Sequence, residues 1–202
     1  MKLNPNLEKY IASLKPDLHL IHESRKELLL TVANYIRSTG NPKLNFICTH
    51  NSRRSHLGQI WAQTAAAHFD IRVETFSGGT EATAFHPNAI AALERAGFEI
   101  EASAGTNPRY SVGFSKQIDP LVCFSKKYND EPNPENDFAA IMTCSEADQE
   151  CPLVFGASAR IKLLYEDPKI ADGTSEEAAK YDERCRQIAS EMLFVFSKLK
   201  EG

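Results

Sequence analysis

Four short apolar runs alternate with helical patterns along most of this chain. They are LNFIC (44–48), RVETFSGG (72–79), DFAAIMTC (137–144) and RIKLLYED (160–167). Ser55 to Phe69 reads as a helix between the first two. His86-Pro87 opens the next helix, PNAIAALERAG, with Pro87 near its first position and Gly97 as its stop. A last helix puts Tyr181, Cys185, Ile188, Met192 and Phe196 on one face, after a Thr174…Glu177 capping box. Strands that alternate with helices bury both faces of a parallel sheet. The expected fold is therefore α/β: a central parallel sheet of about four strands with helices on both faces. Such folds gather their chemistry at the carboxyl ends of strands. Cys48, Ser77-Gly78-Gly79, Cys144 and Asp167 all stand at expected strand ends.

Two segments fall outside the alternation. Residues 1–40 form an N-terminal helical extension, with a Ser24…Glu27 capping box, and Leu29, Val32 and Ile36 at helical spacing. Gly40, Asn41 and Pro42 end it, and residues 41–202 make the main domain. Within that domain, about 102–136 reads as an insertion: YSVGFS and PLVCFS pair as a hairpin, and KKYNDEPNPEND is a polar loop. A net charge of −4 offers no field for nucleic acid. The apolar runs LLLTVA and MLFVF are too short to span a bilayer, and MKLNPNLEKY has no apolar secretory core, so the expected location is the cytoplasm. Five cysteines, an odd number, fit a reducing compartment and not a disulfide framework.

The first strand runs into its helix through CTHNSRRS, Cys48 to Ser55. Backbone N–H groups in such a loop converge on one spot, and the helix dipole adds partial positive charge there. The result is a nest for a tetrahedral oxyanion, with Thr49, His50, Asn51, Ser52, Arg53 and Arg54 around it. Arg54 supplies a two-pronged fork. A cysteine at the floor of such a nest is held as a thiolate nucleophile, and Ser55 is placed to steady the sulfur of Cys48. The loop is not a Walker A motif, because it lacks the glycines and the Gly-Lys-Ser/Thr ending.

CTHNSRRS resembles the C-x5-R-S loop of the low-molecular-weight protein tyrosine phosphatases and of the thioredoxin-coupled arsenate reductases that share their fold. SGGTEATAFHPNAIAALERAGFEI is similar to the second strand and following helix of that superfamily. The likeness covers about 44–100 and 137 to the C-terminus. It departs at His50, where glycine is usual, and at Arg53, where many members carry a second cysteine. It also departs at Gln59, where some reductases have a glutamate linked to a monovalent-cation site.

The resemblance assigns the general acid to Asp167 of the Asp-Pro loop in YEDPK, with Glu166 the lesser candidate. MTCSEADQECP matches the C-x6-C-P pattern of the reductases. It implies that Cys144 attacks the Cys48 adduct and that Cys151 then resolves onto Cys144, by ordinary thiol exchange. Cys123 and Cys185 read as packing residues. No cofactor and no resident metal are expected. The leading expectation is reduction of arsenate to arsenite with a thioredoxin-type reductant as partner. One alternative is a phosphatase hydrolysing phosphomonoesters, which needs only Cys48, Arg54 and Asp167. Another is a non-catalytic oxyanion-binding module. Lys169-Ile170, where the phosphatases place tyrosines, favours the reductase.

Overall fold

The computed structural model describes residues 2–150 and 153–200. In chain order the elements begin with helices α1 (Pro5–Ser13), α2 (Lys15–Leu20) and α3 (Glu23–Ser38). Then come β1 (Lys43–Cys48), α4 (Arg54–Phe69), β2 (Glu74–Gly79) and α5 (Pro87–Ala96). Three short strands follow, β3 (Glu99–Ala102), β4 (Tyr110–Gly113) and β5 (Leu121–Cys123). The chain closes with β6 (Phe138–Met142), α6 (Ser145–Glu150), β7 (Ala157–Lys162), a 3-10 turn at Pro168–Ala171 and α7 (Glu177–Lys200).

β2-β1-β6-β7 form a four-stranded sheet in which every pairing is parallel. Side chains alternate across it, as the two-residue period of a strand requires. Leu44, Phe46, Ala139, Ile141 and Ile161 join Leu29, Leu57, Trp61, Ile188 and Met192 of α3, α4 and α7 in the main core. Ile47, Phe138, Ala140 and Met142 point to the other face, which Ala147 of α6, Val154 and Tyr128 cover. β6 is buried along its whole length, which explains its unbroken apolar run. α1 to α3 contribute Leu7, Ile11, Leu14, Leu29, Val32 and Ile36 to the same core as the sheet.

Four local readings change. The Ser24…Glu27 box does not start α3: His22 is the N-cap, and its ring accepts from the Ser24 amide at 3.3 Å. The Thr174…Glu177 box is displaced by one residue each way. Thr174 Oγ1 accepts from the Glu176 amide (3.2 Å), and Glu177 accepts from the Gly173 amide (2.7 Å). The fourth strand begins at Ala157 and ends at Lys162, so Asp167 lies beyond the strand. Its start is a run of small residues without β-branched side chains; past Lys162 only the Leu163 and Tyr165 amides still bond the neighbouring chain, at the Met142 (2.9 Å) and Thr143 (3.1 Å) carbonyls, because β6 has ended at Met142. The paired segments YSVGFS and PLVCFS acquire a third partner, β3, in an antiparallel sheet ordered β3-β4-β5.

Candidate active site

The loop between β1 and α4 is held from outside by its carbonyl groups. Thr80 donates to the Cys48 carbonyl (3.1 Å), Glu81 to Thr49 (2.8 Å) and His86 to Ser52 (2.9 Å). Ser125 Oγ donates to the His50 carbonyl at 2.9 Å. In a trans peptide the next N–H points opposite to the carbonyl, so these bonds turn the following loop amides to the other side. Asn51 completes the turn in a left-handed conformation, φ 45°, which asparagine tolerates better than most residues. Gly79 permits the close approach: a Cβ there would sit 2.5 Å from the Thr49 carbonyl oxygen and 2.7 Å from the Asn51 nitrogen.

Cys48 sits at the loop floor, 4 % exposed, with its sulfur 3.1 Å from Ser55 Oγ. Asn51 Nδ2 donates to the same hydroxyl at 2.9 Å, and Asn51 Oδ1 accepts from the Lys126 amide at 3.0 Å. The Ser55 hydroxyl, with one oxygen taken up as acceptor, is thus left to give its proton toward the sulfur. Arg54 Nη1 donates to the Tyr165 carbonyl (3.0 Å) and Nη2 to Asp167 Oδ2 (2.6 Å). Arg54 Nε is buried and has no protein partner. Thr49, His50, Arg53, Arg54, Glu146, Asp167 and Ile170 line a cleft of about 720 Å³.

Arg53 does not turn toward the loop centre. Its Nε donates to Tyr181 Oη (2.7 Å) and its Nη2 to Asp172 (3.2 Å), so it braces the segment after Asp167 against α7. His50 faces Glu81 at 3.6 Å on the cleft rim. Ser52 Oγ is turned away to the Ala84 carbonyl (2.7 Å). Of the six loop side chains expected around an oxyanion, those of Asn51 and Ser52 therefore serve the loop itself. Glu166 pairs with Arg184 at 3.3 Å and is largely exposed, while Asp167 points to Arg54.

Cys144 is fully buried two residues past β6. Its sulfur contacts Thr49 Oγ1 at 3.5 Å and accepts from the Ala147 amide at 3.4 Å. It lies within electrostatic reach of both Arg54 and the Cys48 sulfur. Burial pushes its thiol up, and the Thr49 and Ala147 contacts oppose that. Cys151 lies outside the described residues. Cys123 and Cys185 are buried, and burial drives both thiols up to about 12. Cys185 accepts from the Trp61 indole at 3.2 Å.

Beneath the loop lies a polar layer in which the sequence marked Gln59 and Ser77 singly but not their pairing, and did not mark His56 or Lys126. Gln59 accepts from Ser77 Oγ (2.7 Å) and donates to the Thr75 carbonyl (3.0 Å). His56 contacts Ser77 Oγ at 3.2 Å and stacks on Phe85. Burial holds the His56 ring well below its ordinary range, and the charge of Lys126 adds to that. Lys126 is itself buried, which lowers its ammonium to about 8. Nothing in the apolar periodicity marks these residues, because polar side chains buried on a helix break the pattern instead of making one.

No family model matches the chain. Low-molecular-weight phosphotyrosine phosphatase from Vibrio cholerae has the same fold, with a TM-score of 0.53 at 13% identity over 80% of this chain and 98% of that one. A structure described as an arsenate reductase in the phosphate binding state gives 0.50 at 22% identity, over 78% and 98%. The chain therefore has the α/β fold of the low-molecular-weight phosphatases. The arsenate reductase of Oceanobacillus iheyensis is 30% identical over 156 residues, which is 77% of this chain and 95% of that protein. That of Bacillus licheniformis is 29% identical over the same length and shares. The chain belongs to the arsenate reductase family, built on the low-molecular-weight tyrosine phosphatase fold.

Proposed function

We propose that the protein reduces arsenate to arsenite, with Cys48 as nucleophile and Cys144 as the second thiol. The observation that carries this reading is Cys144 itself. A phosphatase needs one sulfur; here a second lies against the nucleophile's own loop, 3.5 Å from Thr49 Oγ1. Arsenate enters the nest of amides, where Arg54, its Nη1 and Nη2 held by Tyr165 and Asp167, offers its unpartnered Nε to an oxygen. The Cys48 sulfur bonds to arsenic, and an arsenate hydroxyl leaves as water with a proton from Asp167. Cys144 then attacks the Cys48 sulfur. The S–S bond forms, the S–As bond breaks, and its electron pair stays on arsenic, which departs as arsenite. Ser55 steadies Cys48 as the attacking thiolate in the first step through their 3.1 Å contact.

Cys151 next displaces Cys48 from Cys144, and a dithiol protein of the thioredoxin type reduces the Cys144–Cys151 disulfide. The location that goes with this reading is the reducing cytoplasm, where thiols return to the reduced state between turnovers. Among the described residues no helix is long and apolar enough to cross a membrane.

The test is arsenite production from arsenate with thioredoxin, thioredoxin reductase and NADPH. Cys48→Ser and Cys144→Ser should each abolish it, while hydrolysis of an aryl phosphate survives Cys144→Ser. Absence of arsenite, or turnover indifferent to Cys144→Ser, refutes the assignment.

A further inference from the structure

We infer that Arg25, Glu191 and Tyr165 form a positioning set through which the N-terminal helical segment aims the Arg54 guanidinium and holds the Asp167 loop. The inference rests on reading Arg54 as the oxyanion fork.

Tyr165 lies three residues past the end of β7. Its backbone serves the site on both sides. Its amide donates to the Thr143 carbonyl at 3.1 Å, next to Cys144. Its carbonyl accepts from Arg54 Nη1 at 3.0 Å. Two residues on, Asp167 takes Nη2 of the same guanidinium. These two bonds fix the plane of the fork and leave the buried, unpartnered Nε for an oxyanion oxygen.

Side-chain contacts far from the cleft hold Tyr165 in place. Its hydroxyl donates to Glu191 Oε2 at 2.7 Å, and Arg25 lies over its ring at 4.7 Å from the centroid. Arg25 grips both Glu191 oxygens, Nε to Oε1 at 2.9 Å and Nη2 to Oε2 at 2.8 Å. Gln187 adds a fourth donor to Glu191 at 3.1 Å. Glu191 is only 3 % exposed, so its carboxylate depends on Arg25 for compensation. Arg25 comes from α3 and Glu191 from α7, and Tyr165 joins them to the acid loop.

A second ion pair separates positioning from docking. Arg186 of α7 holds Asp17 of α2 at 2.6 Å, which ties the same segment to the same helix without touching Tyr165.

The experiment measures protection of Cys48 from iodoacetamide by inorganic phosphate, resolved by peptide mapping, alongside arsenate KM and kcat. Arg25→Ala should weaken phosphate protection about 10-fold and raise KM comparably. Arg25→Lys, which keeps the charge on Glu191, should recover most of the loss, and Arg186→Ala should leave phosphate affinity unchanged. If Arg25→Ala fails to fold, Glu191→Gln reports instead, with an expected loss of about 3-fold. The inference is overturned if Arg25→Ala or its Glu191→Gln substitute binds phosphate as the native protein does, or if Arg186→Ala loses as much. A native protein that phosphate protects but that yields no arsenite refutes the arsenate assignment and leaves this inference standing.

Discussion

At the scale of single residues, the site depends on side chains whose work is indirect. Asn51 binds no oxyanion through its side chain; it spends both ends on Ser55 and the Lys126 amide. Ser55→Ala removes the one side-chain hydroxyl on the Cys48 sulfur, and a hydrogen bond to a charged group contributes about 1.5–3 kcal/mol. Formation of the Cys48–arsenic adduct, in which that sulfur is the attacking thiolate, should therefore slow by about 10- to 100-fold in a single turnover. Lys126 gives a prediction about stability. Burial lowers its ammonium to about 8 from an ordinary 10.5. Between those values the unfolded chain binds more protons than the folded one, so stability from this group rises with pH across that window. Below about 8 the cost of burying the charge is present in full. Lys126→Met should unfold at higher denaturant at pH 7, by ~2 kcal/mol, and the advantage should shrink as pH climbs past the lysine's own transition. Equilibrium urea unfolding at several pH values measures both.

At the scale of elements, the β1–α4 loop and the segment after β6 meet at Thr49 and Cys144. β6 was legible as an apolar run, and so was the cysteine at its end. The contact between the two loops was not, because it depends on β1 and β6 being neighbours in the sheet, an order no local pattern encodes. Burial pushes the Cys144 thiol up, so only a small fraction is ionised at neutral pH. The step in which it attacks Cys48 should accelerate as pH rises into the alkaline range, which rapid-quench detection of arsenite in a single turnover would show. Thr49→Val removes a contact that favours the thiolate and should slow that step several-fold, shifting its pH profile to higher values. A profile unchanged by the substitution would disconnect Thr49 from the second thiol.

At the scale of the whole molecule, the N-terminal helices share one core with the sheet. Leu7, Ile11, Leu14, Leu29, Val32 and Ile36 are buried among residues of α4, α5 and α7. Each such side chain contributes about 1.5–3 kcal/mol on burial, and several together rival the ~5–15 kcal/mol by which a domain is stable. Deletion of residues 2–38 should therefore unfold the protein and not merely trim it. Circular dichroism and thermal denaturation of the truncated chain are the measurements, and a cooperative transition near that of the full chain would contradict the shared core. Gly97 records the same intimacy: it adopts φ 106°, and a Cβ there would meet the Leu7 nitrogen at 2.6 Å.

The alternation of strand and helix, the parallel sheet and the Cys48–Arg54 loop could all be read from residue order, because each depends on local periodicity or on a spacing that a strand-to-helix turn converts directly into geometry. His22 as a cap, the early end of β7 and the third strand of the small sheet escaped, since a cap, a strand end and a pairing partner are chosen by what lies opposite in space. The same holds for the site. Cys48, Ser55, Arg54 and Asp167 announced themselves by motif, whereas the polar layer under the loop and the Arg25–Glu191–Tyr165 brace came only from tertiary structure. Those residues lie far apart in sequence, and their bonds form because burial in a shared core leaves polar groups little water and only each other to pair with.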